Sequence, residues 1–478
     1  MAERSTQVLI DQLASVVGPA GIVTDSEAQA GYTRDWLGKW QGRVPVVVRP
    51  ANTAETAAVV RICRAAHTPI VTQGGNTGMS GGATPDGSGA QVIVSTTRMN
   101  RVLAVDPVNN TLTVEAGVIL AQAQQAAREA GRFFPLSLGA EGSCTVGGNL
   151  ATNAGGIAVL RYGNMRDLVL GLEVVLPDGR VWNGMRGLRK DNTGYDLRGL
   201  FVGSEGTLGI ITGAVLKLFP QPLARATAWV GTASLEQLVE LLGRLRARCG
   251  ERLVAFEMLS AEALQLVLQH VADTRSPVAG APAFHALIEL SDTTDPEGLQ
   301  DLLEQALTEA MEVGLIGEDA VVAASQAQAA AFWRLREGIS QAQVRAGPVV
   351  KHDIALPISA LPAFVAQAGT AVQQVAGATG VAGVVVNFGH LGDGNLHYNV
   401  LLPAGLPADA VKAQTLLFNR AVHDQVAAFN GSISAEHGVG QLRRDELRRH
   451  KSPVEMDLML TIKRALDPNL IMNPGKLL

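Results

Sequence analysis

The chain has 478 residues, enough for two to three domains at about 150 residues each and for a large buried core. Its 39 Lys and Arg against 44 Asp and Glu leave a net charge of −5, so no basic surplus is present to displace counterions from a nucleic acid, and 47% hydrophobic with 17% charged residues excludes wholesale disorder. The three cysteines, Cys63, Cys144 and Cys249, are odd in number and far apart, which excludes a disulfide framework or a cysteine-held metal cluster and fits a reducing cytoplasm.

Residues 1–6 lack the basic region, apolar core and cleavage site of a secretory signal. Residues 6–18 then carry Val8, Leu9, Leu13, Val16 and Val17 at helical spacing, closed by Gly18 and Pro19. A strand at 45–48, a helix over 54–66 and a strand at 70–72 make a β-α-β unit that runs into a glycine loop. Short β-branched runs between 91 and 118, separated by Asn and Asp-Pro turns, predict neighbouring strands; 118–130 returns to helix, and 168–182 reads as a hairpin through Asp178 and Gly179. Residues 1–222 thus read as a mixed α+β domain.

Beyond Pro222, helices rich in Ala, Leu, Glu and Gln (about 235–248, 296–313 and 321–343) alternate with strands such as 284–290, which predicts a second α+β domain over 223–413. Residues 414–478 form a C-terminal segment with two helices around a small-residue motif. The uncharged run 354–389 is long enough to span a bilayer, but Pro357, Pro362, Gln367, Gln373, Gln374 and several glycines interrupt it. It reads as a helix followed by a buried strand, with no transmembrane segment.

Glycine numbers 52, against 11 Phe, 5 Trp and 4 Tyr, an excess that marks close backbone approaches. Gly74, Gly75, Asn76, Thr77, Gly78 and Ser80 follow a strand directly, and backbone N–H groups in so bare a loop are able to converge on an anion such as a pyrophosphate. Neither G-x-G-x-x-G nor G-x-x-x-x-G-K-[ST] occurs in the chain, which disfavours the usual NAD site and a P-loop. Alone, the loop reads equally well as a turn without a ligand. Two further glycine-rich regions, at 139–156 and 203–211, make one extended ligand crossing all three the economical account.

These residues resemble the FAD-binding domain of the vanillyl-alcohol-oxidase type, in the branch of FAD-linked 2-hydroxy-acid dehydrogenases, and the resemblance covers nearly the whole chain. It implies a two-subdomain FAD-binding domain, an α+β substrate (cap) domain and a C-terminal helical segment that completes the active site. It further implies that the first loop, Gly74 to Ser80 as named above, holds the pyrophosphate. Pro135, Gly139, Ser143, Thr145, Gly148, Asn149, Thr152, Asn153 and Gly155 would line the ribityl chain and isoalloxazine. Glu205, Gly206, Gly209 and Ile211 would reach the adenosine side, and Asn473 matches a flavin-contacting position, although an Asn-Pro turn accounts for it as well. Several relatives attach the flavin to a histidine; none lies between His67 and His270, so a non-covalent FAD is implied.

Two motifs carry acid-base and ligand chemistry. His390 and His397 are seven apart, so on a straight strand they would face opposite sides and could meet only if residues 392–395 turn the chain. His397 and Asn399 share a strand face. The second motif, 432–440, sets Glu436 and His437 side by side among small residues. Two histidines and a glutamate are able to hold a divalent metal and leave a position open for substrate. Read without a ligand, the first motif is a glycine turn with two surface histidines and the second a helix N-terminus with an exposed Glu-His pair. The resemblance implies that His390, His397 and Glu436 carry the metal and that His437 is the catalytic base. Zinc is the first choice on ligand type, with manganese, cobalt or iron open. His423, on a predicted helix, reads as structural.

Arg336 and Ser340 lie four apart, on one predicted helical face, and Lys351 follows an apolar run. Relatives that oxidise D-2-hydroxyglutarate use a similar Arg, hydroxyl and Lys for the distal carboxylate, while Asn399, on the strand face of His397, adds a substrate-binding polar group to the histidine site. Blandly read, Arg336 is a solvated helix residue and Lys351 a strand-end charge. The resemblance thus implies oxidation of D-2-hydroxyglutarate to 2-oxoglutarate, with D-lactate or glycolate as the alternative substrate. A flavin-free metal-binding or interaction protein is the rival from another class. Reduced flavin would pass its electrons to an external acceptor, an electron-transfer flavoprotein, a quinone or a cytochrome; homodimerisation is left open.

Overall fold

Helix Ala2–Val17 buries Leu9, Leu13 and Val17 and stops at Gly18, whose φ of +68° suits glycine and ends the helix. The computed structural model describes residues 2–478, except for the side chains of residues 2–4, 296 and 297. The chain forms two units, Met1–Gly156 with Gly163–Gln221 and Glu436–Leu478, and Ile157–Tyr162 with Pro222–Ala435.

In the first unit a four-stranded sheet runs in the order Ile22–Val23, Val47–Val48, Val92–Ser95, Ile70–Gln73, with the last three strands parallel. Parallel neighbours demand crossover connections, and the helix Thr53–Ala65 supplies one, burying Val59, Val60 and Cys63. Asn52 caps it by accepting the Glu55 N–H at 2.9 Å. A five-stranded antiparallel sheet runs Val102–Asp106, Thr111–Glu115, Ile210–Lys217, Val169–Val175, Val181–Gly184. The Asp178-Gly179 turn closes its last hairpin, with Gly179 at φ +80°. The C-terminal residues return to this unit: Ile70 donates to the Ile471 carbonyl and accepts from the Asn473 N–H, each at 2.7 Å.

The second unit is built on an eight-stranded antiparallel sheet in the order Val321–Val322, Ala224–Thr232, Phe284–Asp292, Leu253–Ser260, Val384–His390, Asn395–Leu401, Val349–Val350, with Asp353–Ala355 also paired to Asn395–Leu401. On one face Phe256, Met258, Ile288 and Leu290 pack under the helices Leu235–Cys249, Pro296–Glu312 and Leu361–Thr379. On the other, Leu259, Leu287 and Phe388 pack under Phe332, Leu335 and Ile339. Both faces are covered, so the central strands are largely apolar. The single helix expected over 321–343 is instead a short strand, Val321–Val322, and two helices, Gln326–Glu337 and Ile339–Ala346. Ser325 caps the first by accepting the Gln328 N–H, and Gly338 stands at the break, where an added Cβ would lie 2.9 Å from the Arg334 carbonyl. The run 354–389 opens on a short strand and continues as the helix Leu361–Thr379 and the strand Val384–His390; among the described residues no helix is long and apolar enough to cross a membrane.

Candidate functional site

In the first unit the three glycine loops meet. A Cβ on Gly74 would stand 2.3 Å from Thr145 Oγ1, and one on Gly75 2.0 Å from the Ser143 carbonyl, so the first loop lies on the second with no room for a side chain. The third loop is tied to the second by Gly203 N–H to Leu150 O at 2.9 Å and Glu205 N–H to Ala151 O at 2.8 Å. Asn473 joins them, its amide donating to the carbonyls of Gly82 at 2.9 Å and Glu205 at 2.7 Å. Asn76, Asn153, Glu205 and Asn473 all have φ between 44° and 53°, a backbone region uncommon for non-glycine residues and frequent in ligand clamps. Thr72 Oγ1, Asn149 Oδ1 and Asn473 Oδ1 are buried there without a hydrogen-bond partner. A bare-backbone cradle with unmatched polar atoms in its wall fits a large polar cofactor such as FAD.

Other residues expected at the flavin take different places. Pro135, Thr152 and Gly155 lie in the second loop's surroundings, Thr152 returning its hydroxyl to the Gly148 carbonyl at 3.1 Å, whereas Gly139, Ser143 and Gly78 are exposed. Gly209 packs on the sheet, where a Cβ would lie 2.8 Å from Val174, and Ile211 is buried in the strand Ile210–Lys217. The Glu205 carboxylate accepts the N–H groups of Val439 and Gly440, each at 2.7 Å, and Ser80 donates to the carbonyls of His437 at 3.1 Å or Gly438 at 3.2 Å. Arg443 donates to Ser80 Oγ at 2.9 Å. These side chains therefore fix the loop that follows His437. Burial pushes the Glu205 carboxyl up, against the two backbone hydrogen bonds.

In the second unit the turn at residues 391–394 reverses the chain, with Gly394 at φ +84°, and Val384–His390 pairs with Asn395–Leu401. Phe388 stands opposite His397 and His390 opposite Asn395, so both histidines project from one face, their rings 5.8 Å apart and T-shaped. The neighbouring strand Leu253–Ser260 sets Glu257 directly opposite His390. Glu257 Oε1 lies 2.7 Å from His390 Nδ1, and Arg336 Nε donates to Oε2 at 2.8 Å. Burial alone would raise the Glu257 carboxyl; the charges and hydrogen bonds of His390 and Arg336 outweigh it and hold the group below its usual range. An ionised carboxylate only accepts, so Nδ1 of His390 carries a hydrogen, and Nε2 is the ring nitrogen by which it would bind a metal. Asp353 lies 4.0 Å from Nδ1 of His397 and accepts from the Asn395 amide at 3.0 Å.

Ala435 donates its N–H to the Asp353 carbonyl at 3.2 Å, and Glu436 is the next residue. One ligand atom from each of His390, His397 and Glu436 falls within 4.8 Å of the other two. Two imidazoles and a carboxylate so close, with a carboxylate behind each ring, fit a divalent cation that keeps an open position. Arg336 is buried, its guanidinium 4.9 Å above the Phe388 ring. Ser340 is exposed and belongs to the helix beyond the Gly338 break, so the two do not share one continuous helical face. Lys351 is half-buried. Asn399 accepts the His352 N–H at 3.0 Å and donates to Gln343 at 3.0 Å, fixing the peptide after Lys351. His423 is buried with its ring edge-on to His352 at 5.4 Å. Glu257 and Asp353 escape a motif search; the available signal for Glu257 was a lone acid within the apolar strand Leu253–Ser260.

Comparison with known proteins agrees with an FAD cradle. Residues 44–184 match the family model described as FAD binding domain, and residues 221–477 match FAD linked oxidases, C-terminal domain. The chain belongs to the FAD-linked oxidases and is an FAD-dependent oxidoreductase. It is 40% identical over 478 residues to the mitochondrial D-2-hydroxyglutarate dehydrogenase of Bos taurus, covering 98% of this chain and 83% of that one. It is 36% identical over 469 residues to the D-2-hydroxyglutarate dehydrogenase of Stutzerimonas stutzeri, covering 98% of each. Among solved structures, p-cresol methylhydroxylase with substrate bound matches with a TM-score of 0.76 at 20% identity, over 99% of this chain and 96% of that one, which establishes the fold.

Proposed function

We propose that the chain oxidises D-2-hydroxyglutarate to 2-oxoglutarate and passes the two electrons to an external acceptor, an electron-transfer flavoprotein, a quinone or a cytochrome. The observation that carries the reading is the convergence of His390, His397 and Glu436 within 4.8 Å. Together with the names borne by relatives that match almost the whole chain, it supports a 2-hydroxy-acid substrate. The cradle of residues 74–80, 143–155 and 205–211 with Asn473 holds FAD non-covalently, and the His-His-Glu set holds a divalent cation, zinc by ligand type. Bound there, FAD would supply the acceptor for the hydride from the α-carbon, and a cation on His390, His397 and Glu436 would supply the Lewis acidity that lowers the pKa of the α-hydroxyl.

The chain's own residues do the rest. The His437 imidazole takes the hydroxyl proton as the hydride leaves, so the α-carbon becomes a carbonyl without a net charge accumulating on oxygen. Arg336 and Lys351 hold the distal carboxylate, Arg by a planar fork and Lys as a point charge, with Ser340 offering a hydroxyl. Asn399 acts on the same site by holding the peptide after Lys351. Three buried free cysteines suit the reducing cytoplasm as its compartment, which cell fractionation checks because the plant and animal relatives are named mitochondrial.

Anaerobic addition of D-2-hydroxyglutarate to the purified yellow protein is expected to bleach the flavin band, and L-2-hydroxyglutarate to leave it. Bleaching by D-lactate or glycolate in preference would replace the substrate. A colourless protein carrying metal would replace the enzyme reading altogether.

A further inference from the structure

Glu257 is the one charged residue in the strand Leu253–Ser260 and is 1% exposed. A buried carboxylate is retained at a cost unless its oxygens are matched, and here each oxygen has its own partner. Oε1 meets His390 Nδ1 at 2.7 Å and Oε2 receives Arg336 Nε at 2.8 Å. We propose that Glu257 is a positioning residue that couples the metal-holding histidine to the arginine that grips the substrate's distal carboxylate. One side chain then governs both metal affinity and the preference for a dicarboxylic 2-hydroxy acid. The inference rests on the reading of His390 as a ligand and Arg336 as the carboxylate grip.

The geometry acts on both partners. On the histidine side, the contact fixes the ring plane and directs the Nε2 lone pair away from the strand. On the arginine side it uses the inner nitrogen, leaving the two terminal nitrogens for end-on pairing with a ligand carboxylate. Phe388 completes the setting, since the Arg336 guanidinium lies 4.9 Å from its centroid and the His397 ring 4.9 Å from it as well. The sheet register makes the bridge: Glu257 opposes His390, and Leu259 opposes Phe388, so one two-residue repeat on the strand supports two pairs on the hairpin. Glutamine at 257 has the right shape but presents an NH2 to one of two donors, and aspartate is too short to reach both.

The test uses the FAD-loaded protein stripped of metal. Zinc affinity is measured by competition with a chromophoric chelator, and kcat and KM are measured for D-2-hydroxyglutarate and D-lactate at saturating zinc. Glu257→Gln is expected to weaken zinc binding about 10–100-fold. It is also expected to lower the ratio of kcat/KM for D-2-hydroxyglutarate over D-lactate about tenfold, mainly through KM of the dicarboxylate. Asp353→Asn is the control that weakens zinc without moving that ratio. Should Glu257→Gln fail to fold, Glu257→Asp keeps the charge and is expected to lose at least one of the two properties. Wild-type levels of both properties in the folded variant overturn the coupling. A wild-type protein that binds no zinc, or that shows no preference for the dicarboxylate, overturns instead the reading on which it rests.

Discussion

Each unit buries an ion cluster, and the two are finished differently. In the first, Lys463 donates to Asp467 at 2.6 Å, to the Thr207 carbonyl at 2.7 Å and to the Met472 carbonyl at 2.8 Å, which accounts for all three ammonium hydrogens. Asp467 in turn accepts the N–H groups of Ile471 and Met472. Burial pulls Lys463 below the ordinary lysine range, against the opposing pull of Asp467. This cluster is closed, and it staples the C-terminal residues beside the strand Ile70–Gln73. In the second unit, Glu257 meets Nδ1 of His390 and Nε of Arg336, the side chains proposed to hold a metal and a substrate carboxylate. The first cluster holds the chain; the second orients two side chains proposed to act on ligands.

The contrast is sharpest in what mutation should do. His397→Ala removes a proposed metal ligand beside the second cluster, and turnover should fall about a thousandfold or more while the urea midpoint of the metal-free protein stays where it was. A variant that keeps half its rate would show that the hairpin is only scaffold. Lys463→Ala strands the buried Asp467, and unfolding should become easier by about 3–5 kcal/mol, with turnover per folded, flavin-loaded molecule retained. Equal losses of rate and stability in both variants would erase the distinction.

The smallest effect concerns Lys476, three residues past Asn473. Burial moves it down to about 8, with Asp86 pulling it up and Arg444 pushing it further down. The unfolded chain titrates this group near 10.4, so between the two values it binds more protons than the folded chain and stability rises with pH. From pH 8 to pH 9.5 denaturant melts should show a gain of about 1–2 kcal/mol, and Lys476→Met should flatten that slope.

Much of the cradle and hairpin was legible because turn chemistry is local. Gly74 and Gly75 announce a loop without side chains, and residues 391–394 announce a reversal, so the meeting of His390 with His397 follows from seven residues of sequence. What sequence alone leaves hidden is decided by long-range register. Glu257 reaches His390 from 133 positions away, and nothing near either residue records the pairing. Glu205 reads as one more member of a glycine loop until its carboxylate is seen holding Val439 and Gly440. Helical spacing placed Arg336 and Ser340 together, but Gly338 divides the helix between them, a break that periodicity smooths over because both halves are Ala- and Gln-rich. Fold class survives such errors, since it depends on which segments are apolar, whereas the position of a single polar side chain does not.

The hairpin Val384–His390 and Asn395–Leu401 also limits how this site is able to diversify. Strand residues alternate sides, so gaining one residue in the four-residue bend would present Leu396 and Tyr398, and losing one Tyr398 and Val400, where His397 and Asn399 now stand. Descendants of this chain are free to exchange side chains along the hairpin and to lengthen loops elsewhere, but the spacing from His390 to His397 is effectively locked.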